Sequence, residues 1–271
     1  MNRAALVTGA SSGIGRAIAQ ALAEDGWNLT IAARRADRLE AARAALLDHG
    51  VQVQAVPADV AEEEQLVSLV ERHRQRYGRL DLLVNNAGVG FRAPLDGYST
   101  KFVDVTLGVN VRGTIILCRE ALPMLREAGA EHRRAFVINT SSLAGKLGEA
   151  GLTVYAAAKH ALVGFTDALN RELIGAGIRA CVLCPGYVDT PMSDYAKEYI
   201  PADEMIRPED LAETVRYLLR LSPTCVVPEL VLVHGQSLRV QEVPLLAAVG
   251  VPRDDLITDT IRLPKPGTEA A

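Results

Sequence analysis

The chain lacks any apolar run long enough to cross a membrane, and it lacks an excess of basic residues. A membrane-spanning helix takes about 20 consecutive apolar residues, and no such run occurs in the 271 positions. Lysine and arginine together number 29 against 33 for aspartate and glutamate, a formal net charge of −4. That balance gives no support to nucleic-acid binding, which shows as a strongly basic patch. The opening residues Met-Asn-Arg-Ala-Ala-Leu-Val-Thr-Gly turn polar after a short apolar stretch. A secretory leader needs a longer apolar core, so the expected location is the cytoplasm. Cysteine is scarce, at four. Cys181 and Cys184 form a C-x-x-C, a spacing used in redox and metal chemistry, but they sit in a run that reads as a strand, where residues three apart face opposite sides. Neither a second C-x-x-C nor a nearby histidine pair completes a zinc site. Buried structural thiols are expected there, and no metal. Internal repeats, low-complexity tracts and interdomain linkers are missing too.

What is present is a regular alternation. Hydrophobic residues make up 49% and charged residues 23% of the chain, a composition that suits a packed globular fold. Short apolar runs at 4–7, 29–32, 51–56, 80–84, 135–138, 178–183 and 230–233 read as strands. Several are almost continuously apolar, as parallel strands covered on both faces are. Between them lie helix-period stretches. Ile14, Ala17, Ile18, Ala21 and Leu22 make one amphipathic stripe, and 38–47, 62–77 and 208–221 behave alike. Repeated βα units predict a Rossmann-type doubly wound parallel sheet with helices on both faces. The predicted organisation is one dinucleotide-binding, catalytic domain over 1–235 and an irregular extension over 236–271. The extension carries Pro244, Pro252, Pro264 and Pro266. It is expected to pack over the body or against a neighbouring subunit, with its last residues disordered. The charged stretch 126–134 reads as a polar loop before the fifth strand, far from the chemistry.

Two clusters carry chemistry. Tyr155 and Lys159, in Tyr-Ala-Ala-Ala-Lys, share a helix face at i and i+4. An ammonium beside a phenol favours the phenolate, and a tyrosine lowered from its usual ~10 becomes a better general acid/base. The first strand runs through Thr8, Gly9, Ala10, Ser11, Ser12, Gly13, Ile14 and Gly15 straight into a helix. A glycine-rich turn there lets backbone N–H groups and the helix N-terminus meet a pyrophosphate. The second strand ends in Ala32-Ala33-Arg34-Arg35. An acidic residue at that point would bind the ribose hydroxyl of NAD, whereas a guanidinium matches the 2′-phosphate of NADP. Two solvated arginines are the alternative. Asp59 and Val60 after the third strand, and Asn85, Asn86, Ala87 and Gly88 after the fourth, stand where strand C-termini open onto a nucleotide crevice. Asp59 can meet an adenine amino group, cap the next helix, or do both.

Taken in order, Thr8-Gly9-x-x-x-Gly13-x-Gly15, Asn85-Asn86-Ala87-Gly88, Asn110, Ser142, Tyr155-x-x-x-Lys159 and Pro185-Gly186 resemble the short-chain dehydrogenase/reductase family over residues 3–235. The resemblance implies an NADP(H)-dependent oxidoreductase that reduces a carbonyl reversibly. It implies Tyr155 as general acid or base, with Lys159 lowering the Tyr155 pKa and binding the nicotinamide ribose. Ser142 would hold the substrate oxygen, with Ser141 the alternative. Asn110 would position a water in a proton relay, against a bland role as a loop-capping amide. Pro185, Gly186, Val188 and Thr190 would border the nicotinamide. An arginine at Arg34 is what NADP-preferring members carry.

The substrate pocket is expected from 89–92, 143–148, Tyr187 and a lid over 192–205, with Leu143, Ser142, Tyr155 and Tyr187 touching a small-molecule substrate. Arg92 and Lys197 are open between meeting an acidic substrate group and plain surface charge. Rival readings are an NAD-dependent alcohol dehydrogenase and a nucleotide-binding sensor without chemistry. The family commonly forms dimers and tetramers, and a helix over 153–175 with Ala157, Ala161, Phe165 and Leu169 on its outer face leads to an expected homo-oligomer, a tetramer or dimer.

Overall fold

Seven apolar runs become seven parallel strands in the computed structural model, which describes residues 3–235. They are β1 (Ala4–Thr8), β2 (Asn28–Ala33), β3 (Val53–Pro57), β4 (Leu82–Asn85), β5 (Ala135–Thr140), β6 (Ile178–Pro185) and β7 (Glu229–Leu232). The order across the sheet is β3-β2-β1-β4-β5-β6-β7. The chain winds outward from β1 in one direction and from β4 in the other. The crevice between their C-terminal ends is therefore the topological switch point, where such sheets bind ligands.

Period-2 alternation sends neighbouring side chains into two cores. Val7, Val84 and Ile138 face one side, packed with Ile18, Leu22, Leu39, Leu211 and Leu218. Leu6, Leu83 and Val137 face the other, packed with Leu66, Leu69, Leu117, Leu125 and Leu173. Helices α1 (Gly13–Glu24), α2 (Ala36–Leu47) and α7 (Pro208–Arg220) form the first layer. Helices α3 (Glu63–Tyr77), α5 (Gly113–His132) and α6 (Thr153–Leu173) form the second, with the short α4 (Thr100–Leu107) leading into α5. Each fully buried leucine contributes on the order of 2 kcal/mol.

Local signals set the helix ends. Glu63 and Glu64 sit in the first turn of α3 and Arg74 and Arg76 in its last, each complementing the helix dipole. Gly78 closes that helix at φ 65°, a left-handed cap that glycine adopts freely. Pro208 starts α7, and the Asp210 carboxylate accepts the Arg207 amide at 3.0 Å.

The stretch 126–134 corrects the loop expectation. Helix α5 continues through His132, because Leu125, Ala128 and Gly129 keep its inner face buried while the charges lie outward. Those charges have partners. His132 Nε2 meets Asp81 Oδ1 at 2.8 Å, and Arg79 meets Glu131 at 3.5 Å. Asp81 also accepts the Ala4 amide at 2.8 Å, so this cluster ties the N-terminal ends of β1 and β4, away from the crevice. The expected irregular extension over 236–271 lies outside the described residues. Among those described, no helix is long and apolar enough to cross a membrane. Cys181 and Cys184 are buried free thiols.

Candidate active site

The glycine turn between β1 and α1 is built by close approach. Gly9 and Gly13 hold φ +66° and +53°, conformations that favour glycine. A Cβ on Gly13 would stand 2.9 Å from Thr190 Cγ2, and one on Gly15 would stand 2.5 Å from Asn86 Nδ2. Thus Thr190, Asn86 and the turn are mutually packed. Thr8 Oγ1 accepts the amides of Asn86 and Ala87 at 3.0 and 3.1 Å, and Asn86 Nδ2 donates to Thr8 O at 3.2 Å. Ser12 is the N-cap of α1 but makes no side-chain cap, and no acidic residue lies in the first turn. A helix start without a side-chain cap, facing the switch point, fits an anionic phosphate.

At the C-terminal ends of β2 and β3, Arg34 Nη1 lies 3.9 Å from Asp59 Oδ2. Asp59 Oδ1 accepts the Ala61 amide at 3.0 Å, a local turn ahead of α3, whose N-cap is Glu62 without a side-chain cap. The helix-capping role expected for Asp59 is not what the structure shows. Val60 packs where α5 begins. A Cβ on Gly113 would come within 2.3 Å of Val60 O.

Ser142, Tyr155, Lys159 and Asn110 converge beside this turn. Ser142 precedes the short turn Leu143–Gly145, and its Oγ accepts the Ala144 amide at 3.1 Å. The Ser142 hydroxyl favours the ionised form of the Tyr155 phenol. Ser141 points elsewhere, donating to Lys159 O at 2.8 Å, which separates the two serines. Lys159 is buried, donates to Thr140 O at 2.9 Å, and stands 5.4 Å from the Tyr155 ring centre. Asn110 is fully buried in a π-helical turn, Gly108–Arg112, between α4 and α5. Its side chain bonds Val89 O at 2.8 Å, Thr106 O at 2.9 Å and Val89 N at 3.1 Å. Such turns recur at functional sites. Gly88 lies beside both Asn110 and Lys159, since a Cβ there would stand 2.9 Å from Asn110 Oδ1 and 3.5 Å from Lys159 Nζ.

The electrostatics differ from the expectation in one respect. Burial pushes the Tyr155 phenol up to about 12, against the opposing hydrogen bond from Ser142. Burial pulls Lys159 down to about 8. Burial is the dominant cause, with Tyr195 and Glu149 adding to it, so in this arrangement Tyr155 is raised rather than lowered. The hold of Thr140 on Lys159 is not revealed by its side chain in the sequence: it acts through its carbonyl.

Beyond Pro185 and Gly186, Val188 pairs with Ile206 in an isolated parallel bridge. Tyr187 O accepts the Ile206 amide at 3.0 Å and Ile206 O accepts the Asp189 amide at 2.8 Å. The excursion between them packs on itself through Ala196, Ile200 and Met205 against Tyr187. Leu143 and Tyr187 are both partly buried. Lys197 is held by Asp189 and Asp194 at 2.8 Å each, and Arg92 is paired with Glu149. Both cations thus have protein partners. Among the described residues no group of His, Cys, Asp and Glu is placed to hold a metal.

Comparison with known proteins gives the same picture. Residues 3–200 match the family described as short chain dehydrogenase. An uncharacterized oxidoreductase of Staphylococcus aureus is 34% identical over 219 residues, 80% of this chain and 91% of that protein. The 3-ketoacyl-(acyl-carrier-protein) reductase of Brucella melitensis, solved with NADH, has a TM-score of 0.80 at 30% identity, covering 87% of this chain and 98% of that one. The alcohol dehydrogenase of Thermococcus sibiricus, solved with 5-hydroxy-NADP, has a TM-score of 0.78 at 31% identity, covering 86% and 96%. The chain belongs to the short-chain dehydrogenase family, oxidoreductases that interconvert alcohol and carbonyl groups of small molecules.

Proposed function

We propose that the chain is an NADPH-dependent carbonyl reductase in which Tyr155 is the general acid. The observation that carries this reading is the buried Lys159 ammonium, held by Thr140 O against the Tyr155 ring, with Ser142 just past the same strand end and the uncapped start of α1 beside them. Bound NADPH would supply the hydride. Its pyrophosphate would lie on the amides of Gly9, Ser11, Ser12, Gly13, Ile14 and Gly15. Asp59, Val60, Asn86, Ala87 and Gly88 would border its adenosine half, and Pro185, Gly186, Val188 and Thr190 its nicotinamide half.

Arg34 supports NADP over NAD. Its guanidinium stands at the end of β2, where a carboxylate would be needed for a ribose hydroxyl. The related structures divide between NADH and an NADP derivative, and Arg34 is the side chain that supports NADP here.

Ser142 Oγ and Tyr155 Oη together hold the substrate oxygen. Tyr155 donates its proton to that oxygen as the alcohol forms. A phenol at about 12 is protonated throughout the neutral range, the form an acid must have. Lys159 keeps a positive charge next to the phenol as it loses its proton. Asn110 fixes the local turn behind Lys159 and the relay path. Self-association through the outer faces of α5 and α6 fits the exposed Ile115, Ala157 and Ala161.

The test is NADPH consumption over a panel of ketones, aldehydes and 3-oxoacyl thioesters, repeated with NADH. Turnover with NADPH well above that with NADH is expected. Turnover with NADH alone overturns the cofactor assignment, and tight NADPH binding without turnover on any compound points to a sensor instead.

A further inference from the structure

Two irregular segments cross above Tyr155 and are sewn together. Gly90 lies on the phenol, since a Cβ there would be 3.3 Å from two Tyr155 ring carbons. The next residues bond to 149–151. Ala93 N donates to Gly151 O at 2.9 Å, and the one Tyr98 Oη proton is shared between Phe91 O at 2.7 Å and Gly151 O at 2.9 Å. Gly151 sits at φ +81°, and a Cβ on it would stand 3.1 Å from Arg92 Cγ. The Arg92 stem therefore lies across a glycine in a left-handed turn.

This clasp fixes a charge pair in the wall beside the phenol. Arg92 Nη2 pairs with Glu149, Nη1 donates to Ala150 O at 3.1 Å, and the guanidinium is 5.8 Å from the Tyr195 ring centre. Arg92 is 14% and Glu149 26% exposed. Arg92 Nε is buried with no hydrogen-bond partner. A guanidinium in a pocket wall recruits a carboxylate, and here Glu149, anchored by the clasp, already fills that role. Burial is the main cause opposing ionisation of the phenols of Tyr155 and Tyr187; Glu149 adds to it at both, and Arg92 opposes it at Tyr187. A second carboxylate brought to this wall would face Glu149 across one shared cation, a like-charge placement that discriminates against it.

We infer that the Arg92–Glu149 pair is a specificity determinant that admits uncharged carbonyl compounds and rejects those bearing a carboxylate near the carbonyl. This inference rests on the reductase reading for its substrate class, but its test does not need turnover. Glu149→Gln removes the internal anion and leaves Arg92 to take one from solution.

The experiment is calorimetric binding of benzoylformate and of its methyl ester to the protein with excess NADP+, a pair differing in the charge. The wild type is expected to bind the ester at least about tenfold more tightly than the acid, and Glu149→Gln to reverse that order. The double variant Glu149→Gln with Arg92→Gln should lose the gained acid binding. A wild type that binds the acid as well as the ester overturns the inference. So does an unchanged ratio in Glu149→Gln, or no binding of benzoylformate to that variant. NADPH turnover is followed separately. A reversed binding order without turnover on any carbonyl sinks the reductase reading alone, and an unchanged order with turnover intact sinks the charge screen alone.

Discussion

The Lys159 ammonium donates to the Thr140 carbonyl at 2.9 Å, and this bond holds it against the face of the Tyr155 ring. The charge is thus fixed by β5, the strand that also delivers Ser141 and Ser142 from its C-terminal end. A single strand end sets the lysine and the serine, and α6 supplies the tyrosine between them.

That placement costs stability. Lys159 is 4% exposed and its pKa falls from 10.5 to about 8. A lysine with a folded pKa below its unfolded one destabilises the fold wherever it is charged in both states, here below about pH 8. The penalty fades as pH rises from 8 towards 10.5, because the folded state releases the proton first. Lys159→Met should therefore raise stability near pH 7 by on the order of 2 kcal/mol, after the lost bond to Thr140. It should cut turnover at least about 100-fold. Thermal melts alongside NADPH kinetics check both signs, and a destabilised Lys159→Met contradicts the account.

The same two groups set the pH profile. With Tyr155 at about 12 the acid stays protonated, while Lys159 discharges above about 8. Carbonyl reduction should be flat between about pH 6 and about pH 7.5 and fall above about pH 8, and alcohol oxidation should climb as phenolate forms. A reduction rate climbing tenfold across the neutral range would be incompatible with these positions.

Arg34→Asp should reverse cofactor choice. Losing a charge-assisted phosphate contact and gaining a repulsive carboxylate amounts to about 2–3 kcal/mol, or roughly 100-fold in kcat/KM for NADPH. NADH kinetics should hold or improve. Paired steady-state measurements with both cofactors decide this.

Asp81 tests the far end of the sheet. Burial would raise its carboxyl, but Arg79, the Ala4 amide and His132 together hold it below 3.8. The stability this provides is present above about pH 4 and lost as pH falls below that. Asp81→Asn should lose about 2–3 kcal/mol at neutral pH and leave the acid limb of the stability curve shallower. Urea unfolding between about pH 3 and about pH 7 would show it.

Periodicity made the strands legible. The run at 4–7 became Ala4–Thr8 and the run at 29–32 became Asn28–Ala33, because burial on both faces leaves a continuous apolar mark. The order of Ser142, Tyr155 and Lys159 was legible from spacing for a similar reason: a turn and one helix carry them. What was hidden depends on partners far along the chain. The polar stretch 126–134 resembled a loop because its charges are answered by Arg79 and Asp81 from another element. The partnership of Arg92 with Glu149 spans 57 positions. Thr140 contributes a carbonyl, which every residue has. The upward direction of the Tyr155 shift was hidden for the same reason, since burial is a property of the packed molecule and not of the Tyr-x-x-x-Lys spacing.

The most direct test of the central claim is single-turnover reduction of a reactive ketone by Tyr155→Phe against the wild type, with NADPH affinity measured on both proteins. The account predicts a fall of at least about 1,000-fold in rate with NADPH affinity within about threefold, since the phenol acts on the substrate oxygen and the nucleotide is held elsewhere. Turnover by Tyr155→Phe near the wild-type rate would contradict it and move the proton donor to another group.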